Sequence, residues 1–337
     1  MKILIIHTAF IGDIILATPL IRAVKEGMEN AEIYALIKPE TRHVLRNNPH
    51  LKNIITFDKR GKDSGLAGFL KIGKNIKKEK FDLVISPHRS FRSAMLARAS
   101  GAKTRVGFDT STGAFLYNKK VKYDSSIHEI ERNLSLARAL GIESIHKQPQ
   151  VFPGEEDKVV VDRLLAKAGF KSSGMLVALA PGSIWATKRW PLLYYKKLAQ
   201  ILIKNGTHIV LIGGVADSAL GREIATGNEN AIFNAAGRLS LLQSAELLTR
   251  CRVLVSNDSA PLHLATAVGT PVIAIFGPTV PAFGFYPTGS KDRIIETPLP
   301  CRPCGLHGGD HCPIGTHACM KNISPEQVFA GTIDFLK

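Results

Sequence analysis

The sequence predicts an α/β protein of two doubly wound, Rossmann-like domains. Three observations carry that prediction. Short apolar runs with the β-branched content of buried strands alternate with helical stretches from residue 2 to residue 107, and the alternation starts afresh at residue 176. The chain has 337 residues, too many for one ordinary core and suited to two. In both halves, Gly, Asp and Ser residues follow the ends of the apolar runs, where an open parallel sheet places its ligands.

Composition narrows the class. Hydrophobic residues at 45% and charged residues at 21% are globular values. No apolar run reaches a transmembrane length, and MKILIIHTAFIGD passes straight into a Gly-Asp turn instead of a cleavage site, so a cytoplasmic protein is expected. Forty-four Lys and Arg against 28 Asp and Glu give a formal charge of +16, suited to polyanions. No zinc-finger spacing, RNA-binding signature or basic zipper accompanies that charge, which argues against nucleic acid. An anionic lipid or sugar phosphate at the inner membrane surface fits better.

The elements follow in order. Lys2 to His7 reads as a strand and Thr8 to Gly12 as a turn, after which Asp13 opens a helix with Ile14, Ile15, Leu20, Ile21 and Val24 on one face. At a helix amino terminus above a strand end, Asp13 suits a general base facing a cleft; it also suits a dipole-stabilising carboxylate worth ~0.3–1 kcal/mol. Further strands are expected at 32–37, 54–57, 83–87 and 105–107. Lys71, Lys74 and Lys78 share a helical face opposite Ile72 and Ile76, which reads as a solvated side or a membrane-contacting one. His88, Arg89 and Arg92 follow the strand at 83, where arginine forks suit an acidic acceptor; a plain basic helix face would look the same. The helix over 127–140, with Glu129 and Arg132, carries nothing chemically distinctive. The domain boundary is expected at 170–174.

In the second half, PGSIWATKRWP lies between a strand at 176–180 and a helix at 192–205. Backbone N–H groups, Ser183 and Thr187 can donate to phosphate there, and Lys188 adds charge. Asp217, after a Gly-Gly turn, can accept from ribose hydroxyls or simply cap a helix. Leu239, in NAAGRLS, is placed against a purine base. Val253 to Thr279, VLVSNDSAPLHLATAVGTPVIAIFGPT, reads as one β-α-β unit with Asp258 capping the helix and Gly269 closing it. Asn257, Asp258, Ser259 and His263 then stand near the strand ends. Cys301, Cys304, Cys312 and Cys319 are spaced C-x2-C-x7-C-x6-C. The ligand types suit a structural zinc, while the second pair is wider than in a zinc ribbon. A terminal helix over 323–336 is started by Ser324-Pro325-Glu326.

The 253–279 segment resembles the signature of the ADP-heptose:lipopolysaccharide heptosyltransferases. Asp258, His263, Ala265, Pro271 and Gly277-Pro278-Thr279 fall in register, with Thr266-Ala267 where the family carries Ala-Ala. IGDIILATPLIRAVKE is similar to the family's opening motif, PHRSFRSAMLARASGAKTRVGF to its amino-domain pattern, and KRWP to its phosphate loop. The resemblance implies a GT-B architecture, two domains facing across a cleft: 1–170 for the acceptor, 171–322 for the nucleotide sugar, and 323–337 crossing back to the first. It implies an inverting transfer of heptose from ADP-heptose to a lipid A-core acceptor at the cytoplasmic face of the inner membrane, nearest to the type that adds the second heptose. Asp13 is implied as catalytic base, Lys188 as phosphate contact, Ser183, Thr187, Asp217, Leu239, Asp258, Ser259 and His263 as donor-binding, and His88, Arg89 and Arg92 as acceptor-binding. No cofactor is required by that scheme, and the chain has no D-x-D triplet to hold a metal on the diphosphate. A related transferase using another nucleotide sugar, and a catalytically silent nucleotide- or metal-binding module at the membrane face, are the competing readings.

Overall fold

After its first residue the strand β1 (Lys2–Ile6) is apolar without a break, Ile3 to Ile6 all buried, because both of its faces are covered, as in other all-parallel sheets. In the computed structural model, which describes residues 1–170 and 175–336, two such sheets form, in separate units Met1–Phe152 and Pro153–Lys337. After β1 come α1 (Ile11–Leu16), α2 (Thr18–Gly27), β2 (Glu32–Ile37), α3 (Arg42–Leu45), β3 (Asn53–Thr56), α4 (Gly65–Lys78), β4 (Leu83–Ser86), α5 (Phe91–Ala99), β5 (Thr104–Phe108), β6 (Lys119–Val121) and α6 (Glu129–Arg138). The order β3-β2-β1-β4-β5-β6 is parallel throughout, with the direction of winding reversing between β1 and β4. Side by side, these two strands deliver the residues that follow them, His7 and His88, to the same edge.

The second unit runs α7 (Glu155–Lys167), β7 (Leu176–Ala180), α8 (Leu192–Lys204), β8 (His208–Leu211), α9 (Ser218–Ala225), β9 (Ile232–Asn234), α10 (Leu241–Thr249), β10 (Val253–Asn257), α11 (Ala260–Ala267), β11 (Val272–Phe276), β12 (Arg293–Glu296), α12 (Ala318–Lys321) and α13 (Pro325–Thr332). Its sheet, β12-β11-β10-β7-β8-β9, is also parallel and reverses between β7 and β10. Ser256 pairs with Ala180, so Asn257 and Asp258 emerge beside Pro181 and Gly182. Gly269 stops α11 with a left-handed φ of 77°, as a helix-closing glycine should.

Three features depart from the sequence reading. The division falls at Phe152/Pro153 instead of 170/171, because α7 packs on α10 and Arg250 pairs with Asp162 at 3.2 Å; residues 171–174 of the expected boundary lie outside the described residues. The terminal helix was expected on the first domain, yet it belongs to the second unit: α13 packs on α8 and β11, and its Val328 is buried in the core that holds Trp190. The indole N–H of Trp190 donates to the Ile323 carbonyl just ahead of it at 3.0 Å. The short strands β6, β9 and β12 went unread, since edge strands of three or four half-polar residues leave little pattern.

Candidate active site

In the first unit the chain leaves β1 through His7 to Phe10 and turns into α1. Asp13 lies in the first turn of that helix, where its Oδ2 accepts from the Phe10 N–H at 3.0 Å. The helix starts two residues earlier than expected, and Asp13 stabilises its start while standing at the sheet's reversal point. His7 is buried, with neither ring nitrogen hydrogen-bonded; burial holds its pKa down at about 3, so the ring is neutral. It stacks on His88, with centroids 6.0 Å apart. Three hydroxyls surround Nδ1 of His88: Thr8 at 3.0 Å, Ser93 at 3.1 Å and Ser90 at 3.2 Å.

A basic group surrounds that histidine pair. Burial, then Lys59, Lys38 and Arg89, push His88 down to about 4. Lys59 is itself lowered by burial and by Lys38, Arg92 and Arg60, and its Nζ reaches the Thr8 carbonyl at 3.4 Å. Arg89 lies over the Tyr123 ring at 3.9 Å, and Arg92 is exposed in the first turn of α5. His88, Arg89 and Arg92 thus fall in one neighbourhood, and the structure adds Lys38 and Lys59, which sequence spacing did not connect with them.

In the second unit, Lys188 Nζ and Asp258 Oδ2 are 2.6 Å apart, with side chains only 12% and 8% exposed. Thr279 donates to the same carboxylate oxygen at 2.6 Å. Asp258 does not cap α11 as the sequence suggested; Ser259 holds the N-cap position, without a side-chain cap bond, and the Asp258 carboxylate turns to Lys188 and Thr279. Asn257 fixes the phosphate-type loop: its Nδ2 donates to the Pro181 carbonyl at 2.9 Å, and its Oδ1 accepts from the Trp190 N–H at 3.0 Å. Asp217 Oδ2 accepts from the Gly214 N–H at 2.9 Å, and a Cβ on Gly182 would lie 2.1 Å from its Oδ1, so the two sit in close contact.

The sequence profile of glycosyltransferase family 9 (heptosyltransferase) matches residues 69–308. The chain belongs to this family. Lipopolysaccharide heptosyltransferase 2 of Salmonella typhimurium is 28% identical over 97% of the chain and 96% of its own length. The structure of E. coli ADP-heptose lps heptosyltransferase II superposes with a TM-score of 0.83 at 25% identity, covering 100% of this chain and 98% of that one. A family 9 glycosyltransferase of Veillonella parvula gives 0.90 at 22% identity, covering 99% and 97%, which establishes the shared fold. The enzyme is therefore a glycosyltransferase with the two Rossmann-like domains of the GT-B architecture.

Two expectations about this glycosyltransferase change. Thr187 was read as a phosphate donor, but it is buried and its hydroxyl donates to the Gly309 carbonyl and accepts from the Gly309 N–H, both at 2.8 Å. Its only hydroxyl proton is used inside the protein. A structural zinc was one of two readings of the cysteine-rich segment; among the described residues no three His, Cys, Asp or Glu are arranged to hold a metal. Cys304 Sγ is instead 3.3 Å from the Cys301 carbonyl, and Cys312 Sγ accepts from the His317 N–H at 3.4 Å. The segment acts as a buttress. Arg302, 4% exposed, donates to the carbonyls of Gly277, Thr297 and Thr279, and Cys304 N–H to that of Pro278 at 2.9 Å. His317 meets the Thr187 carbonyl at 2.7 Å, so the tail braces both loops around Lys188 and Asp258.

Ser183 passes its carbonyl to Arg189 at 2.9 Å, and Ser259 donates to the Asn257 carbonyl at 3.3 Å. His263 is buried in α11, and Leu239 is half-buried before the capping Ser240. The sequence reading missed Glu129 and Arg132, an ion pair of 2.9 Å in α6. An acid in a first helical turn with Arg three residues on was the available signal, and it is too common to stand out.

Proposed function

We propose that the enzyme moves L-glycero-D-manno-heptose from ADP-heptose to the inner core of lipopolysaccharide, adding the second heptose, with Asp13 as base. The observation that carries the substrate assignment is the near end-to-end similarity to lipopolysaccharide heptosyltransferase 2. The acceptor hydroxyl attacks the anomeric carbon as Asp13 takes its proton; the bond from that carbon to the diphosphate oxygen breaks, and ADP leaves from the opposite face with inversion. Lys188 and the backbone N–H groups of the Gly182 to Ala186 loop balance charge growing on the diphosphate. Asp258 holds hydroxyls of the donor sugar, Ser259 and His263 line the same wall, and Asp217 and Leu239 meet ribose and adenine. His88, Arg89 and Arg92, with Lys38 and Lys59, receive an acidic acceptor. No cofactor enters this scheme.

The test is ADP release from ADP-heptose with no acceptor, with a Kdo-terminated lipid A acceptor, and with one already carrying a single heptose. Release is expected with the last. Asp13→Asn should lower turnover at least ~100-fold with ADP affinity retained, and Lys188→Ala should weaken donor binding as well. Full turnover in Asp13→Asn removes it as base; ADP binding without release points to another donor sugar.

The enzyme works, in this reading, on the cytoplasmic face of the inner membrane as a peripheral protein. No helix of the described residues is long and apolar enough to cross a membrane. What supports surface docking is α4, where Leu66 and Leu70 are 72% and 60% exposed beside the exposed Lys71, Lys74, Lys77 and Lys78. Leu66→Ser with Leu70→Ser should lower co-sedimentation with vesicles of anionic phospholipid several-fold; equal sedimentation would exclude α4 as the contact.

A further inference from the structure

The peptide unit between Thr187 and Lys188 is held at both ends. Its N–H, that of Lys188, donates to the Trp185 carbonyl at 3.1 Å, and its carbonyl, that of Thr187, lies 2.7 Å from Nε2 of His317. A carbonyl has no proton to give, so Nε2 carries the hydrogen of that bond. Thr187 is buried, with its hydroxyl and its own N–H both engaged by Gly309.

His317 itself takes an uncommon conformation. Its φ of 53° lies in the left-handed region, where most side chains are strained and glycine is free. The residue precedes α12, yet its ring makes no cap bond to that helix. Its N–H donates to Cys312 Sγ at 3.4 Å, which ties the turn together through the backbone. Glycine would serve such a turn as well; what the imidazole adds is its bond to Thr187. We infer that His317 is a positioning residue for Lys188, fixing the peptide plane from which that side chain reaches the donor diphosphate.

The inference rests on the reading of Lys188 as the diphosphate contact. Its physical reason is leverage: turning a peptide plane swings the side chain that follows it, and the Lys188 ammonium stands at the end of a flexible four-carbon stem. Such a cation is a precise ligand only when its base is fixed by supporting bonds. The far end is already braced, with Nζ 2.6 Å from Asp258, Thr279 on the same carboxylate, and Arg302 on the Thr279 carbonyl at 2.8 Å. His317 supplies the brace at the near end. Without the ring, the Thr187 carbonyl is left buried and lacking that donor, and the plane turns to find another. If His317 served only the fold of the tail, its loss would lower stability and leave the ADP affinity of the folded protein where it was.

The experiment is calorimetric titration of ADP into the full chain as wild type, His317→Asn and His317→Gln, each repeated in a Lys188→Ala background. Asparagine suits the left-handed turn but is too short to replace Nε2, whereas the glutamine amide reaches that position. His317→Asn should weaken ADP binding roughly 5- to 10-fold, and His317→Gln should stay within about twofold of the wild type. With Lys188→Ala in place, His317→Asn should have no further effect, because the group it positions is gone. Wild-type affinity in a folded His317→Asn protein, or a full further loss in the double variant, overturns the inference. Should His317→Asn fail to fold, imidazole nitrogen NMR decides: ADP should shift the His317 Nε2 resonance in the wild type and not in Lys188→Ala. A resonance that ADP leaves in place, or shifts equally in both, overturns the inference. Undiminished ADP affinity in Lys188→Ala is a different failure, that of Lys188 as the diphosphate contact, and it is read without any His317 variant.

Discussion

The two units treat charge in opposite ways. In the second, Lys188, Asp258 and Thr279 close on one another through contacts of 2.6 Å, and Arg302 and Asn257 use nearly all their donors on loop carbonyls. In the first, like charges crowd together: Lys38, Lys59, Arg89 and Arg92 face a neutral histidine pair, and two acids share the start of α1 and α6. The difference is the one expected if the halves divide the substrates as proposed. A closed network fixes loop geometry in advance, as suits a nucleotide diphosphate whose shape is constant. A crowd of cations, of which Lys38 is paired with Glu40 at 3.1 Å, keeps an excess of positive charge that an acidic partner would neutralise, which suits the proposed charged acceptor.

The largest test of this contrast is Asp258→Ala. It strands the Lys188 ammonium among buried groups, and urea unfolding of the full chain should show a loss of ~3 kcal/mol or more. Asp13→Asn, which keeps an oxygen for the Phe10 N–H, should cost less than ~1 kcal/mol by the same measurement. Equal losses would break the comparison. A smaller effect sharpens it from the other side. With one cation removed in Lys59→Met, the His88 midpoint should rise from its depressed value of about 4 towards the ordinary imidazole range, by roughly half a unit to one unit in an NMR titration. No movement would mean that burial alone holds the ring neutral, and that the basic crowd is not electrostatically coupled to it.

Much of the candidate site is legible in the sequence, because it lies where parallel strands end. Asp13, Lys188 and Asp258 each follow an apolar run by a few residues, and the sheet order brings those ends to the reversal points of the two sheets. Glu129 and Arg132 were not legible. They lie 116 and 119 residues beyond Asp13 in a helix whose pattern is ordinary, and only the packing of α6 on α1 brings them near it. Thr187 misled for the same reason. A hydroxyl in a phosphate-type loop looks available until the chain returns 122 residues later and Gly309 takes it.

By itself the sequence determined the class of fold and its period, since apolar runs of four to six residues between glycine-closed helices can be buried only as parallel strands under helices. It also fixed which residue types stand at the strand ends. The tertiary structure alone decided which of those groups are already engaged. It turned Asp258 from a helix cap into the partner of Lys188, made the cysteine-rich tail a brace for two loops, and moved α7 and α13 into the second unit. The physical reason is that capping and periodicity are local, whereas the pairing of a buried charge is settled by whatever segment the fold brings within about 3 Å of it.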